Sequence, residues 1–231
     1  MKKYAIIVAG GTGQRMKSAV PKQFLLLQGK PILYHTLRQF KKAYSDIELI
    51  LVLPEDQFSF WQSLCQEHPE ILENCPHQLI PGGATRFHSS LQGIQAIPSY
   101  TKCLVAIHDG VRPLVSIASI QAAFHHAEKF GNAILAVSSK DSIRQWDETD
   151  NTYISLNREH IKIIQTPQVF EISLLRKAYE QDYQDYFTDD ASVVEQLGII
   201  IQLVEGSYSN IKITTPEDLL IAEALKSTIE S

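Results

Sequence analysis

The 231-residue chain carries 21 Lys and Arg against 26 Asp and Glu, a formal net charge of −5, with 44% hydrophobic and 20% charged residues; this fits a single α/β domain, 1–231, with a sizeable core. The acidic balance argues against a general nucleic-acid binder, so any anion site must be assembled locally. No stretch is apolar over the length that spans a bilayer and the N-terminus lacks a leader pattern, so no membrane partner and a cytoplasmic setting are expected; Cys65, Cys75 and Cys103 form no close metal-ligand pair, and their odd number leaves at least one thiol free.

In chain order, Tyr4–Ala9 is short, rich in Ile and Val and bounded by glycine, which predicts a buried strand. Gly10, Gly11 and Gly13 then let the backbone turn tightly and approach a partner closely. Arg15 and Lys22 follow, with Pro21 stiffening the chain before the lysine. Backbone N–H groups of such a loop bind phosphate oxygens, and the two cations make it attractive to a triphosphate. The loop is no P-loop, since no Gly-Lys-Ser/Thr closes it, and no dinucleotide fingerprint, since Met16 stands at the third glycine position. An ordinary glycine turn between strand and helix stays open as the plain alternative.

Beyond the loop the spacing predicts a helix over Pro31–Ala43, a strand over Glu48–Leu53, a helix over Glu55–Gln66 and a short strand over His77–Ile80. A helix over Thr85–Ile97, a strand over Cys103–Ile107, a helix over Ile117–Phe130 and a strand over Asn132–Val137 continue the alternation. This repetition implies a doubly wound, mainly parallel sheet with ligands at the carboxyl ends of its strands. The rhythm then changes. Within 138–165, the runs Ser142–Trp146 and Tyr153–Leu156 flank an acidic turn, as in an antiparallel hairpin projecting from the sheet. Such an arm packs on a second subunit or stands exposed on a monomer. Ile172–Gln181, Ala191–Leu197 and Pro216–Lys226 read as helices and Ile199–Val204 as a strand.

Four further stretches fall where strands end. In PGGATRFHS (Pro81–Ser89) a glycine turn precedes a helix start, with capping by Thr85 as the plain reading. In HDGVRP (His108–Pro113), Asp109 is well placed to hold Mg²⁺ and Arg112 to grip a phosphate, or the two simply pair. In NREHIKIIQTPQ (Asn157–Gln168), Arg158 is a candidate phosphate clamp, and Thr166 and Pro167 form a constrained turn. In NIKITTPEDL (Asn210–Leu219), Thr215 starts a helix with acids in its first turn, and Lys212 precedes it as a site cation or a solvated edge charge.

Together VAGGTGQRM, PKQF, PGGATR, HDGVRP, NRE, QTPQVF, FTDDAS and EGSYSNIKITTPEDL, in that order from Tyr4 to Ala222, closely resemble the 2-C-methyl-D-erythritol 4-phosphate cytidylyltransferases. The resemblance implies a nucleotidyltransferase-type α/β fold and a homodimer that swaps its 138–165 arms. It also implies transfer of a cytidylyl group from CTP to a sugar-alcohol phosphate, with Mg²⁺. By motif, Arg15, Lys22, Arg158 (reaching across from the partner subunit) and Lys212 match the catalytic cations. Ala9, Gly10, Gly11, Gly13, Gly83, Ser89 and Asp109 match positions around CTP and metal, and Asp109, Arg112, Ser142, Thr166 and Thr188 match the sugar-phosphate pocket. HDGVRP replaces the more common HDAARP; Gly110 removes a methyl and is expected to be tolerated. Ser142 stands where threonine is common, and Arg144 where lysine is.

The chemistry agrees with these residue types. An ionised phosphate attacking the α-phosphorus of CTP needs positioning and cations rather than a strong general base. Ribitol 5-phosphate cytidylyltransferases resemble the chain in fold and most loops, although FTDDAS and NREHI favour the methylerythritol enzymes. A non-catalytic CTP-binding regulator would be expected to lack Arg15, Lys22 or Lys212. A Rossmann oxidoreductase needs a third glycine and an acid after the second strand.

Overall fold

The computed structural model describes residues 1–11, 16 and 20–230. Its centre is a seven-stranded sheet made of β1 (Lys2–Val8), β4 (Glu48–Leu53), β5 (His77–Pro81), β6 (Cys103–Asp109), β7 (Asn132–Ser138), β10 (Lys162–Glu171) and β11 (Leu203–Glu205). The spatial order is β11-β7-β10-β6-β1-β4-β5. All pairings are parallel except the two that β10 makes. Two short ribbons lie outside it: β2 (Leu26–Leu27) with β3 (Lys30–Pro31), and β8 (Ile143–Asp147) with β9 (Thr152–Leu156).

The inner strands β1, β4, β6 and β7 are buried on both faces, which is why they read as continuous apolar runs. In β1, Ala5 and Ile7 enter one core and Tyr4 and Ile6 the other; in β4, Leu49, Leu51 and Leu53 oppose Ile50 and Val52. Helices α1 (Ile32–Ala43), α2 (Phe58–Glu67) and α5 (Ile117–Phe130) cover the first face with Leu37, Phe40, Trp61 and Phe124. Helices α4 (Arg86–Gln95), α6 (Ile172–Ala178) and α7 (Asp190–Glu195) cover the second with Phe87, Leu175 and Val194. The short α3 (Glu70–Asn74) follows α2. The last helix, α8 (Pro216–Glu230), adds Ala222 to a small third core with Leu27, Val111 and Ile213. No helix among the described residues is long and apolar enough to cross a membrane. Cys65, Cys75 and Cys103 are all free and buried, and burial pushes each thiol up to about 11.

The largest departure from the sequence expectation is β10. Residues 162–171 form a ten-residue antiparallel strand between β6 and β7, where a loop with a constrained Thr166-Pro167 turn was expected. The Thr166–Pro167 peptide is cis, and the register against β7 shifts between Ile164 and Gln168. Its middle, QTPQ, is polar because those groups are bonded to loops. Gln165 Nε2 donates to Ser207 O (2.8 Å), Asn210 Nδ2 donates to Thr166 O (2.8 Å), and Gln168 Nε2 donates to Asp189 Oδ2 (2.7 Å). Smaller differences are local. The strand expected over Ile199–Val204 is confined to Leu203–Glu205, and a 3-10 turn at Glu55–Gln57 precedes α2. The hairpin of β8 and β9 is present with Trp146 opposite Tyr153.

Candidate active site

The sheet reverses its winding between β1 and β6, and ligand crevices form at the carboxyl ends of strands at such a point. The loops there are stitched by backbone bonds. Ala9 N donates to Val52 O (2.9 Å), Gly110 N to Val8 O (2.9 Å) and Gly82 N to Leu53 O (2.7 Å). The buried Gln23 donates from Nε2 to Ala9 O (2.9 Å), tying the Lys22–Phe24 turn to the end of β1.

Two adjoining cavities open above these loops. The first, about 250 Å³, gathers Ala9, Gly10, Gly11, Lys22, Gly83, Ser89, Asp109 and Lys212. The second, about 300 Å³, gathers Asp109, Arg112, Thr166, Thr188 and Lys212. Asp109, Lys212 and Arg86 belong to both. Eleven of the residues expected at the site are thus brought together, from segments about two hundred positions apart. Gly13 and Arg15 lie outside the described residues. Ser142 and Arg158 line neither cavity of their own chain. Both are exposed near the hairpin, and Arg158 Nη1 donates to Lys140 O (3.0 Å).

The plain readings of two motifs hold beside the functional ones. Thr85 caps α4, its hydroxyl accepting from His88 N (3.4 Å). Ser89 Oγ accepts from Gly83 N (3.2 Å) and donates to Thr85 O (3.0 Å), folding the glycine turn onto the helix start. Gly83 is required by close approach: a Cβ there would lie 2.4 Å from His88 Cβ. By contrast a Cβ on Gly11 would meet only the end of Lys22, at 3.5 Å from Cε, so Gly11 leaves open the space beside that ammonium.

Asp109 and Arg112 do pair, with Nε 3.1 Å from Oδ2, but they are part of a larger cluster. Lys212 Nζ lies 3.1 Å from the same Oδ2 and Arg86 Nε lies 3.6 Å from Oδ1. Burial pushes the Asp109 carboxyl up, yet Arg86, Lys212 and Arg112 outweigh it and hold the group well below the usual carboxylate range. Thr166 Oγ1 accepts from Asp109 N (3.1 Å), fixing the backbone that carries this carboxylate. Lys212 is positioned by the extended 211–213 segment, where Ile213 N donates to Val111 O (2.9 Å).

Sequence reasoning missed the second carboxylate. Asp190, fully buried, accepts from Arg86 Nη2 (2.6 Å), Ser90 Oγ (2.9 Å) and Tyr179 OH (2.6 Å). It holds Arg86 from behind, so that Arg86 faces the shared wall of both cavities. Arg86 is half-buried; burial works against its charge, but Asp190 and Asp109 more than restore it. The available signal was the doubled aspartate of FTDDAS, in which Asp189 caps α7 and leaves Asp190 to point inward. The first cavity is lined by three cations, Lys22, Arg86 and Lys212, against the single carboxylate of Asp109. Such a wall favours a polyanion. Among the described residues no group of three or more His, Cys, Asp or Glu is placed to hold a metal. Asp109 fits a metal only as one ligand of an ion whose other ligands are polyphosphate oxygens and water.

The chain matches the family model for IspD, 2-C-methyl-D-erythritol 4-phosphate cytidylyltransferase, over residues 4–227. It is 49% identical to the 2-C-methyl-D-erythritol 4-phosphate cytidylyltransferase of Azobacteroides pseudotrichonymphae, covering 97% of this chain and 98% of that protein. It is 46% identical to the one from Bacteroides thetaiotaomicron, covering 97% of this chain and all of that protein. The structure is similar to that of 4-diphosphocytidyl-2C-methyl-D-erythritol synthase from Anaerococcus prevotii, with a TM-score of 0.81, 29% identity and 98% of each chain covered. A cation-walled crevice at the switch point of the sheet, on a chain matched almost from end to end, places this protein in the 2-C-methyl-D-erythritol 4-phosphate cytidylyltransferase family.

Proposed function

We propose that the two adjoining cavities hold the two substrates of this family's reaction, CTP in the glycine-lined one and the sugar-alcohol phosphate beside Arg112, Thr166 and Thr188. The chain transfers a cytidylyl group from CTP to 2-C-methyl-D-erythritol 4-phosphate, giving 4-diphosphocytidyl-2-C-methyl-D-erythritol and pyrophosphate. The observation that carries the assignment of substrates to cavities is their shared wall: Asp109, Arg86 and Lys212 border both, so donor and acceptor meet there.

In this reading a phosphate oxygen of the acceptor forms a bond to the α-phosphorus as the bond to the β-phosphate oxygen breaks. Negative charge gathers on the transferring group. Lys22 neutralises it from the Lys22–Phe24 turn, the family motif gives Arg15 the same role, and Lys212 and Arg112 orient the attacking phosphate. The nucleophile arrives ionised, so no side chain has to remove a proton. Asp109 would hold Mg²⁺ together with triphosphate oxygens, and the ion would supply charge neutralisation on the polyphosphate. Ser142 and Arg158 complete the site from the partner subunit of a cytoplasmic homodimer, contributed by the 138–165 arm. Their placement outside both cavities of their own chain, and the exposed Trp146, Tyr153 and Ile154 on the hairpin, support that arrangement.

The deciding experiment measures pyrophosphate release with CTP and Mg²⁺, comparing methylerythritol 4-phosphate with ribitol 5-phosphate. Release with the former alone is expected. Release with ribitol 5-phosphate alone would move the acceptor assignment, and release with neither would overturn the catalytic reading.

A further inference from the structure

A third cavity, about 380 Å³, lies apart from the two above and is formed where α1, α5 and α8 converge. Its cations are Arg38 and Lys42, one turn apart on α1, and Lys226 on α8; its walls include the apolar Pro113, Leu114 and Ile117. Among the described residues no Asp or Glu lines it, in a chain whose net charge is −5. Arg38 and Lys42 are exposed, and neither makes an ion pair among the described residues. Like charges gathered around a concave surface repel one another and lower their mutual cost when an anion enters. The volume falls in the range of small-molecule sites. The apolar walls add a requirement that a bare inorganic anion does not meet.

We propose that this cavity is a second binding site, for a small organic phosphate whose phosphoryl group lies among Arg38, Lys42 and Lys226 and whose apolar body rests on Pro113, Leu114 and Ile117. The site is wired to the catalytic loop by short connections. Pro113 follows Arg112 directly, and Arg112 Nη1 donates to Asn210 O (2.8 Å), next to Ser209 of the cavity wall. Helix α1, which carries Arg38 and Lys42, donates from Thr36 Oγ1 to Gly110 O (2.8 Å), one residue beyond Asp109. An occupant therefore touches the structural neighbours of Arg112 and Asp109 without touching either.

The test is a titration of the ¹⁵N-labelled full chain with phenyl phosphate, followed by amide shifts, beside the same titration with inorganic phosphate. Phenyl phosphate is expected to shift residues 114–117 and 209 and to bind there more tightly than inorganic phosphate. The double variant Arg38→Ala/Lys42→Ala, altered only at exposed positions, is expected to weaken that binding about tenfold or more, and added salt to weaken it in the parent chain. Lys22→Ala is expected to leave the 114–117 shifts in place, which separates this site from the nucleotide cavity. Shifts confined to the catalytic cavities, an unchanged affinity in the double variant, or inorganic phosphate binding as tightly as phenyl phosphate would each overturn the proposal.

Discussion

At the scale of single residues, Gly110 and Lys22 illustrate two kinds of requirement. The sequence reads Gly110 as a methyl removed from a more common alanine, and so as harmless. In the structure a Cβ at Gly110 would lie 2.7 Å from Ala9 Cβ and 3.1 Å from Leu33 Cδ1, so restoring the methyl pushes the aspartate loop against the end of β1. Gly110→Ala is expected to cost about 1–3 kcal/mol in a urea titration, as overpacking does, and to lower affinity for CTP, because Ala9 lines the nucleotide cavity. A variant as stable as the parent would show that the strand end yields freely. Lys22 is different: its ammonium lies beside Gly11 in the first cavity, where the polyanion is proposed to bind. Lys22→Ala is expected to lower turnover about 10²–10³-fold with the melting temperature little changed. Near-normal turnover would remove Lys22 from the catalytic set.

At the scale of elements, the Lys212 segment depends on the helix start that follows it: Asp218 Oδ2 alone accepts from Thr214 N, Thr214 Oγ1 and Thr215 N, each at 2.8 Å. The TTPED pattern does announce a helix cap, and α8 begins at Pro216 as its proline and acids imply. What the pattern leaves out is that the cap faces backwards, pinning the extended stretch that carries Lys212 to Asp109. Asp218→Ala is expected to cost about 1–2 kcal/mol, the range of a lost cap. It is also expected to raise KM more than it lowers kcat, since Lys212 stays present but less well placed. An unchanged KM would show that the Ile213–Val111 bond positions the lysine unaided. Strand β10 shows the opposite limit. Its QTPQ centre has the polarity and proline of a turn; β6 and β7 pair with it as a strand, and the loops at Asp189, Ser207 and Asn210 satisfy its polar groups.

For the molecule as a whole, acid sensitivity follows from how the site is buried. His108 is fully inaccessible; its Nε2 donates to Arg112 O (3.2 Å), and Nδ1 has no hydrogen-bond partner among the described residues. Burial lowers its pKa from 6.5 to about 3, so the unfolded chain takes up this proton first and stability falls as pH drops below about 6.5. Asp109, held below the usual carboxylate range, acts in the same direction at lower pH, since the unfolded chain again protonates first. Urea midpoints are expected to fall between pH 6.5 and 5, with His108 contributing about 1.4 kcal/mol per pH unit; a flat profile would show that His108 is protonated in the fold. The arm has its own test at this scale. Lys22→Ala and Arg158→Ala are each expected to be nearly inactive, while mixing them restores activity because a heterodimer holds one intact site. No recovery after confirmed subunit exchange would exclude an arm acting in trans.

The sequence by itself determined the sheet's parallel half, its two covered faces and the family. Apolar runs such as Ile6–Val8 and Leu49–Leu53 need burial on both sides, and the glycine and HDGVRP loops carry their chemistry in local spacing. Only the tertiary structure decided the antiparallel β10, the close approach of Gly110 to Ala9 and the placement of Asp190 behind Arg86. Each of these rests on a partner far away in the chain: Gln168 with Asp189, Gly110 with Ala9, Arg86 with Asp190. A buried polar group is stable only where such a partner stands, and local sequence does not record who the partner is.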